Sequence, residues 1–183
     1  EISKYMAEAA HQLHIKPTIL LVPLKLQKAY DSPDKLPLPL LRATEAAQAL
    51  AFAISDAPEG TGFRVAILDS ARGHFCKIAH MPGIETNMLR LLTKTDYELL
   101  ENICEALRPV FLLGDEVKIT THSYSGKKHH LELKLGVWKQ YPTVSTGIVR
   151  PNSFDNVPSG ETFVAPIKGT ANGSIIINGS ATG

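Results

Sequence analysis

Glu161 stands just behind a Pro-Ser-Gly turn and at the head of an apolar run, within "NSFDNVPSGETFVAPIKGTANGSIIINGS", Asn152 to Ser180. A carboxylate on the first residue of a strand is held by a rigid element while its side chain projects from the sheet's end, a placement suited to a metal ligand. A solvated strand-end glutamate is the plain alternative. From Thr162 to Gly183 there is no further Glu or Asp, and no His or Tyr.

Other residues with chemical potential are more weakly placed. His11 and His14 are three apart on a predicted helix with only Glu8 at helical spacing, and they read as a surface pair rather than a metal site. His129 and His130 are adjacent on a predicted strand and point to opposite faces, which excludes chelation by both, and His122 reads as a bystander across the hairpin. Asp69-Ser70 lacks the glycines that a nucleophile elbow needs on either side, because Leu68 and Arg72 occupy those positions. Cys76 and Cys104 lie in apolar contexts and read as buried thiols in a reducing compartment. Gly60-Thr61-Gly62 precedes what reads as a strand, so it lacks the helix N-terminus on which phosphate binding depends. Asp155 reads as loop chemistry, an Asx turn.

These groups need a framework. The chain has 183 residues, 44% of them hydrophobic, enough for one sizeable domain or two small ones. A net charge of +1 gives no strong field, and the basic cluster Lys127 to His130 reads as a solvated hairpin tip. Neither nucleic acid nor a membrane is expected as a partner, and the cytoplasm is the expected compartment. The chain opens on Glu1 with Ile2, Met6, Ala9 and Leu13 at helical spacing and no cap before them. It closes in a Gly and Ser cluster, and both ends read as those of a fragment.

After the first helix, "TILLVP" has the length of a buried strand, and Pro33, Pro37 and Pro39 mark a loop. Leu40 to Ile54 favours helix by alanine content, "GFRVAILD" and "CKIAHMPGI" read as strands, and Thr95 with Glu98 has capping-box spacing. That helix carries Leu99, Leu100, Ile103, Cys104 and Leu107 and is expected to end at Pro109. Beyond it the period falls to two: Val117, Ile119 and Thr121, then Leu131, Leu133 and Leu135, form a hairpin. "ETFVAP" and "SIIIN" read as further strands, with Asn172-Gly173 as a turn between them. The expected fold class is therefore α/β: an α/β layered domain with a largely parallel sheet over residues 1–110, followed by a β-rich segment over 111–183.

"NVPSGETFVAPIKGTANGSIIINGS" resembles a segment of the thermophilic-type leucyl aminopeptidases, the aminopeptidase T family of metallopeptidases. "HMPGIETNML", "GDEVKITT" and "LELKLG" resemble that family's amino-terminal half in the same order, so the likeness runs from about Ala79 to Ser180 and is strongest over Asn156 to Gly179. The resemblance implies that Glu161 is a ligand to one of two divalent metals, zinc or cobalt, in a complete protein that removes amino-terminal residues from peptides. It also implies a homodimer. The other ligands of such a centre belong to a carboxy-terminal half that this sequence does not contain, so the chain alone is expected to be inactive and to hold no metal firmly. Two alternatives stay open: an iron(II) ring-cleaving dioxygenase of the same fold family, and a non-catalytic binding or assembly module.

Overall fold

The computed structural model describes residues 2–54, 60–136, 141–177 and 179. The chain divides into two compact units interleaved in sequence, the first built from 1–97 and 145–159, the second from 98–144 and 160–183. The single division near residue 110 that the periodicity suggests does not describe these units, because the chain returns to the first sheet late, as a strand beyond residue 150.

The first unit is α/β. Strands β1 (Ala49–Ile54), β2 (Lys77–Pro82) and β6 (Ser153–Asn156) form a parallel sheet in the order β1-β2-β6. Phe52 lies opposite His80, and His80 opposite Asn156. Helix α4 (Thr61–Ala71) connects β1 to β2 and buries Phe63, Ala66, Ile67, Ser70 and Ala71, a helical spacing. Phe63, Ala66 and Ile67 join Leu36 and Ile54 in one core cluster, while Leu68, Ala71, Cys76 and Ile78 form a second. Each fully buried side chain of Ile or Phe size contributes roughly 1.5–3 kcal/mol. Helix α3 (Leu38–Ala46) packs on α4, where the Thr44 and Ser70 hydroxyls meet at 2.8 Å.

Several expectations need correction here. "GFRVAILD" is helix α4, not a strand: it is a short apolar run, and the crossover between two parallel strands supplies what periodicity left open. The alanine-rich stretch is helical only to Ala46 and then becomes β1, because pairing with β2 overrides alanine's propensity. Among the described residues "TILLVP" pairs with no strand; Leu21 is 84% exposed, and Pro17 before the run and Pro23 at its end supply no donors. Helix α1 (Ile2–Gln12) buries none of its residues. Two further helices are short: α2 (Leu24–Gln27) and α5 (Thr86–Leu92). Pro39 falls in the first turn of α3, where its missing N–H costs nothing.

The second unit holds α6 (Tyr97–Leu113, from Glu98 on), the hairpin β3 (Glu116–His122) with β4 (Lys128–Lys134), and the short β8 (Asn172–Gly173) beside β4. It also holds β7 (Glu161–Phe163), which pairs with β5 (Thr143–Ser145, in this unit as far as Val144). The hairpin register sets Ile119 against Leu131 and Val117 against Leu133, as the alternation implied. Helix α6 runs through Pro109 instead of ending there. Thr95 donates to the Leu91 carbonyl at 3.1 Å instead of capping α6. Of the expected stripe, Cys104 is buried whereas Ile103 and Leu107 are exposed. Asn172-Gly173 is strand, not turn: Ser174 N–H donates to the His130 carbonyl at 2.8 Å, and the turn sits at Ile167–Thr170, where Gly169 has φ +81°. Ser174 to Ile177 carry no regular structure, and Asn178 lies outside the described residues.

Candidate functional site

Glu161 opens β7 as expected. Thr162, on the opposite face of the strand, donates its hydroxyl to the Cys104 carbonyl on α6 at 2.7 Å. Just before it, a Cβ on Gly160 would come within 2.9 Å of Leu100 Cδ1, so this glycine lets the chain approach α6 closely. With Thr162 anchored inward, Glu161 and Phe163 project outward and are exposed. Among the described residues, no hydrogen bond or ion pair engages the Glu161 carboxylate.

A bimetallic hydrolytic centre holds its ions roughly 3.5–4 Å apart and needs several carboxylate and imidazole ligands. No group of three or more His, Cys, Asp or Glu among the described residues could hold a metal ion. Glu161 is thus an exposed carboxylate at a strand head, and among the described residues no cluster of further His, Cys, Asp or Glu side chains surrounds it.

The other candidates fall into structural roles. His11 is exposed on α1, and His14 follows that helix with φ +60°. His129 and His130 do face opposite ways: His130 Nδ1 lies 3.0 Å from Thr120 Oγ1, whereas His129 Nδ1 lies 3.1 Å from Ser174 Oγ. His122 is exposed at the hairpin end. Ser70 is buried inside α4 and donates to the Ile67 carbonyl, and Asp69 pairs with Arg72 at 2.9 Å, so neither is an elbow residue. Both cysteines are buried and free. Burial pushes the Cys76 thiol above its ordinary pKa, which suppresses the thiolate.

Two constellations have no counterpart in the sequence pattern. Asp155 is not an Asx turn. Its carboxylate accepts the Ser145 hydroxyl and, at 2.9 Å each, the backbone N–H groups of Thr146 and Gly147. Ser159 completes the cluster, its Oγ lying 2.6 Å from Ser145 Oγ. The second is the row across the parallel sheet, where His80 Nδ1 lies 2.9 Å from Asn156 Oδ1 and the imidazole packs against Phe52. With the amide oxygen facing it, Nδ1 carries the proton, and the bare Nε2 is buried without a partner. Neither had a local signal, since each joins residues brought together only by β6. A cavity of about 270 Å³ lies beside the first residues of β2 and β6, lined among others by Arg72, Cys76, Asn152 and Phe154, and does not include Glu161.

Comparison with protein-family models, with curated proteins and with solved structures returns no match to this chain. Among the described residues, no helix is long and apolar enough to cross a membrane.

Proposed function

We propose that this chain is the amino-terminal portion of a metal-dependent aminopeptidase-like protein, in which Glu161 is one ligand of a two-metal centre for zinc or cobalt. The observation that carries the reading is the presentation of Glu161: first residue of β7, side chain exposed, strand fixed from behind by Thr162 on the Cys104 carbonyl. A carboxylate kept out of local bonds on an anchored strand is pre-organised for a cation. The family resemblance supplies the rest: further ligands from a carboxy-terminal half, a peptide substrate and a homodimer.

The test is metal uptake by this chain and by Glu161→Ala, measured by calorimetric titration with zinc and cobalt. Weak uptake by the parent that disappears in the variant supports the ligand role; identical behaviour of the two rejects it. Hydrolysis of an amino-acid para-nitroanilide by the chain alone should be undetectable, and turnover on adding zinc would contradict a centre completed from elsewhere.

A further inference from the structure

Asn172 and Gly173 make up the whole of β8. An asparagine followed by glycine sets an electrophile, the side-chain amide carbon, next to a backbone nitrogen that no Cβ shields. What the pair can do depends on how the fold uses that nitrogen. Asn172 lies opposite Glu132 and Gly173 opposite Leu131, and the Ser174 N–H donates to the His130 carbonyl at 2.8 Å. Bonded and unbonded residue pairs alternate along an antiparallel ladder, so Asn172 and Ser174 bond to β4 while Gly173 turns its N–H away from it.

That side of β8 is open. Among the described residues the sheet runs β3-β4-β8, with β8 at its edge, and no strand receives the Gly173 N–H. Both residues of β8 are exposed, and the Asn172 side-chain amide has no hydrogen bond among the described residues. The strand is also lightly held: it is two residues long, and residues 174–177 after it carry no regular structure. Short edge segments of this kind open locally at little free energy, which permits the rotation at Asn172 that brings Cγ onto the Gly173 nitrogen.

We propose that Asn172 is a site of spontaneous covalent modification, deamidation through a succinimide. The Gly173 nitrogen gives its proton to solvent base and attacks Asn172 Cγ. A Cγ–N bond forms and closes a five-membered imide, while the bond from Cγ to the side-chain nitrogen breaks and that nitrogen leaves as ammonia with a proton from water. Water then opens the imide at one of two bonds. Breaking the new Cγ–N bond gives aspartate; breaking the original backbone C–N bond gives isoaspartate, with one more carbon in the main chain. Either product sets a carboxylate opposite Glu132, which already lies 3.2 Å from Lys118 Nζ. Like charges directly opposite weaken a strand pair, and the added carbon shifts its register, so modification releases β8 from β4. The site is independent of Glu161 and of any metal.

Ageing the chain in mildly alkaline buffer, folded and in urea, tests it. Trypsin releases Gly169 to Gly183 as one peptide, in which tandem mass spectrometry separates Asn172 from Asn178, and isoaspartyl methyltransferase labels isoaspartate. Asn172 in the folded chain should convert at a rate within about tenfold of that in urea, with isoaspartate among the products. Asn172→Gln, whose longer side chain closes the ring poorly, should lose the signal at this position. In the aged chain the Ser174 amide should lose its protection from hydrogen exchange, and in aged Asn172→Gln it should keep it. A folded-state rate below that tenfold limit would mean that pairing with β4 protects Asn172, and an acid at 172 without isoaspartate would mean direct hydrolysis; either result overturns the proposal, as does unchanged Ser174 protection in the modified chain.

Discussion

The carboxylate of Asp155, on β6, accepts the backbone N–H of Gly147 at 2.9 Å, and with it that of Thr146. One side chain thus satisfies two amide donors of a turn in which Ser145 and Thr146 are buried. Charge-assisted bonds of this kind are stronger than neutral ones, and their loss leaves donors without water. Asp155→Ala should destabilise the protein by about 2–4 kcal/mol, and Asp155→Asn by about 1–2, since the amide keeps one acceptor. Urea unfolding would register both as a lower midpoint at unchanged slope; a shift under about 0.5 kcal/mol for the alanine variant would contradict this role.

That cluster also marks how far the sequence could be read. The hairpin was legible because Val117, Ile119, Leu131 and Leu133 alternate cleanly, and β2 because its run is bounded by Pro82 and Gly83. Helix α4 was not, because "GFRVAILD" is equally apolar at either period and only the parallel pairing of β1 with β2 decides it. Exposure of Ile103 and Leu107 on α6 was likewise hidden, since an apolar stripe says that a face wants cover but not that this chain supplies it. Glu161 itself was placed correctly at a strand head, a purely local inference.

Gly173 is a position where the backbone admits no side chain. Its φ is +119°, and a Cβ there would lie 2.1 Å from the His130 carbonyl oxygen. Gly173→Ala should break the pairing of β8 with β4 at a cost of about 2 kcal/mol or more. Hydrogen exchange would show the Ser174 amide, bonded to that same carbonyl at 2.8 Å, losing protection while β1 and β2 keep theirs. Retained protection at Ser174 would count against the close approach.

Cys76 gives a pH dependence with a definite sign. Its thiol is buried beside Ala71 and Ile78, and desolvation raises its pKa above the ordinary 9.0. Below that value the thiol is neutral in both the folded and the unfolded chain, so pH does not discriminate between them. As pH rises past 9.0 the unfolded thiol ionises first, and stability declines until the folded pKa is passed. The fall in urea midpoint between about pH 8.5 and 10.5 should be shallower in Cys76→Ala than in the parent. Equal slopes would remove Cys76 as its source.

His80 and Asn156 make a tautomer prediction. Because the Asn156 oxygen accepts from Nδ1, the ring should be in the Nδ1–H form, with the shielded Nε2 bare. Long-range ¹H–¹⁵N spectra distinguish the two nitrogens directly. In Asn156→Ala the ring should populate both tautomers, with stability lower by about 1 kcal/mol. An Nε2–H ring in the parent would mean that the Asn156 amide is turned the other way.

Glu161 separates a functional carboxylate from a structural one. Its side chain is exposed, and β7 is held by Thr162 rather than by Glu161. Replacing it with alanine should therefore change stability by no more than about 0.5 kcal/mol, whereas Thr162→Val, which leaves Thr162's contact with the Cys104 carbonyl unmade, should cost about 1 kcal/mol. The metal response should run the other way: zinc uptake lost in Glu161→Ala and retained in Thr162→Val as long as β7 stays folded. If Glu161→Ala instead destabilises the protein as Thr162→Val does, the carboxylate belongs to the scaffold, and the strand head has no claim to a metal.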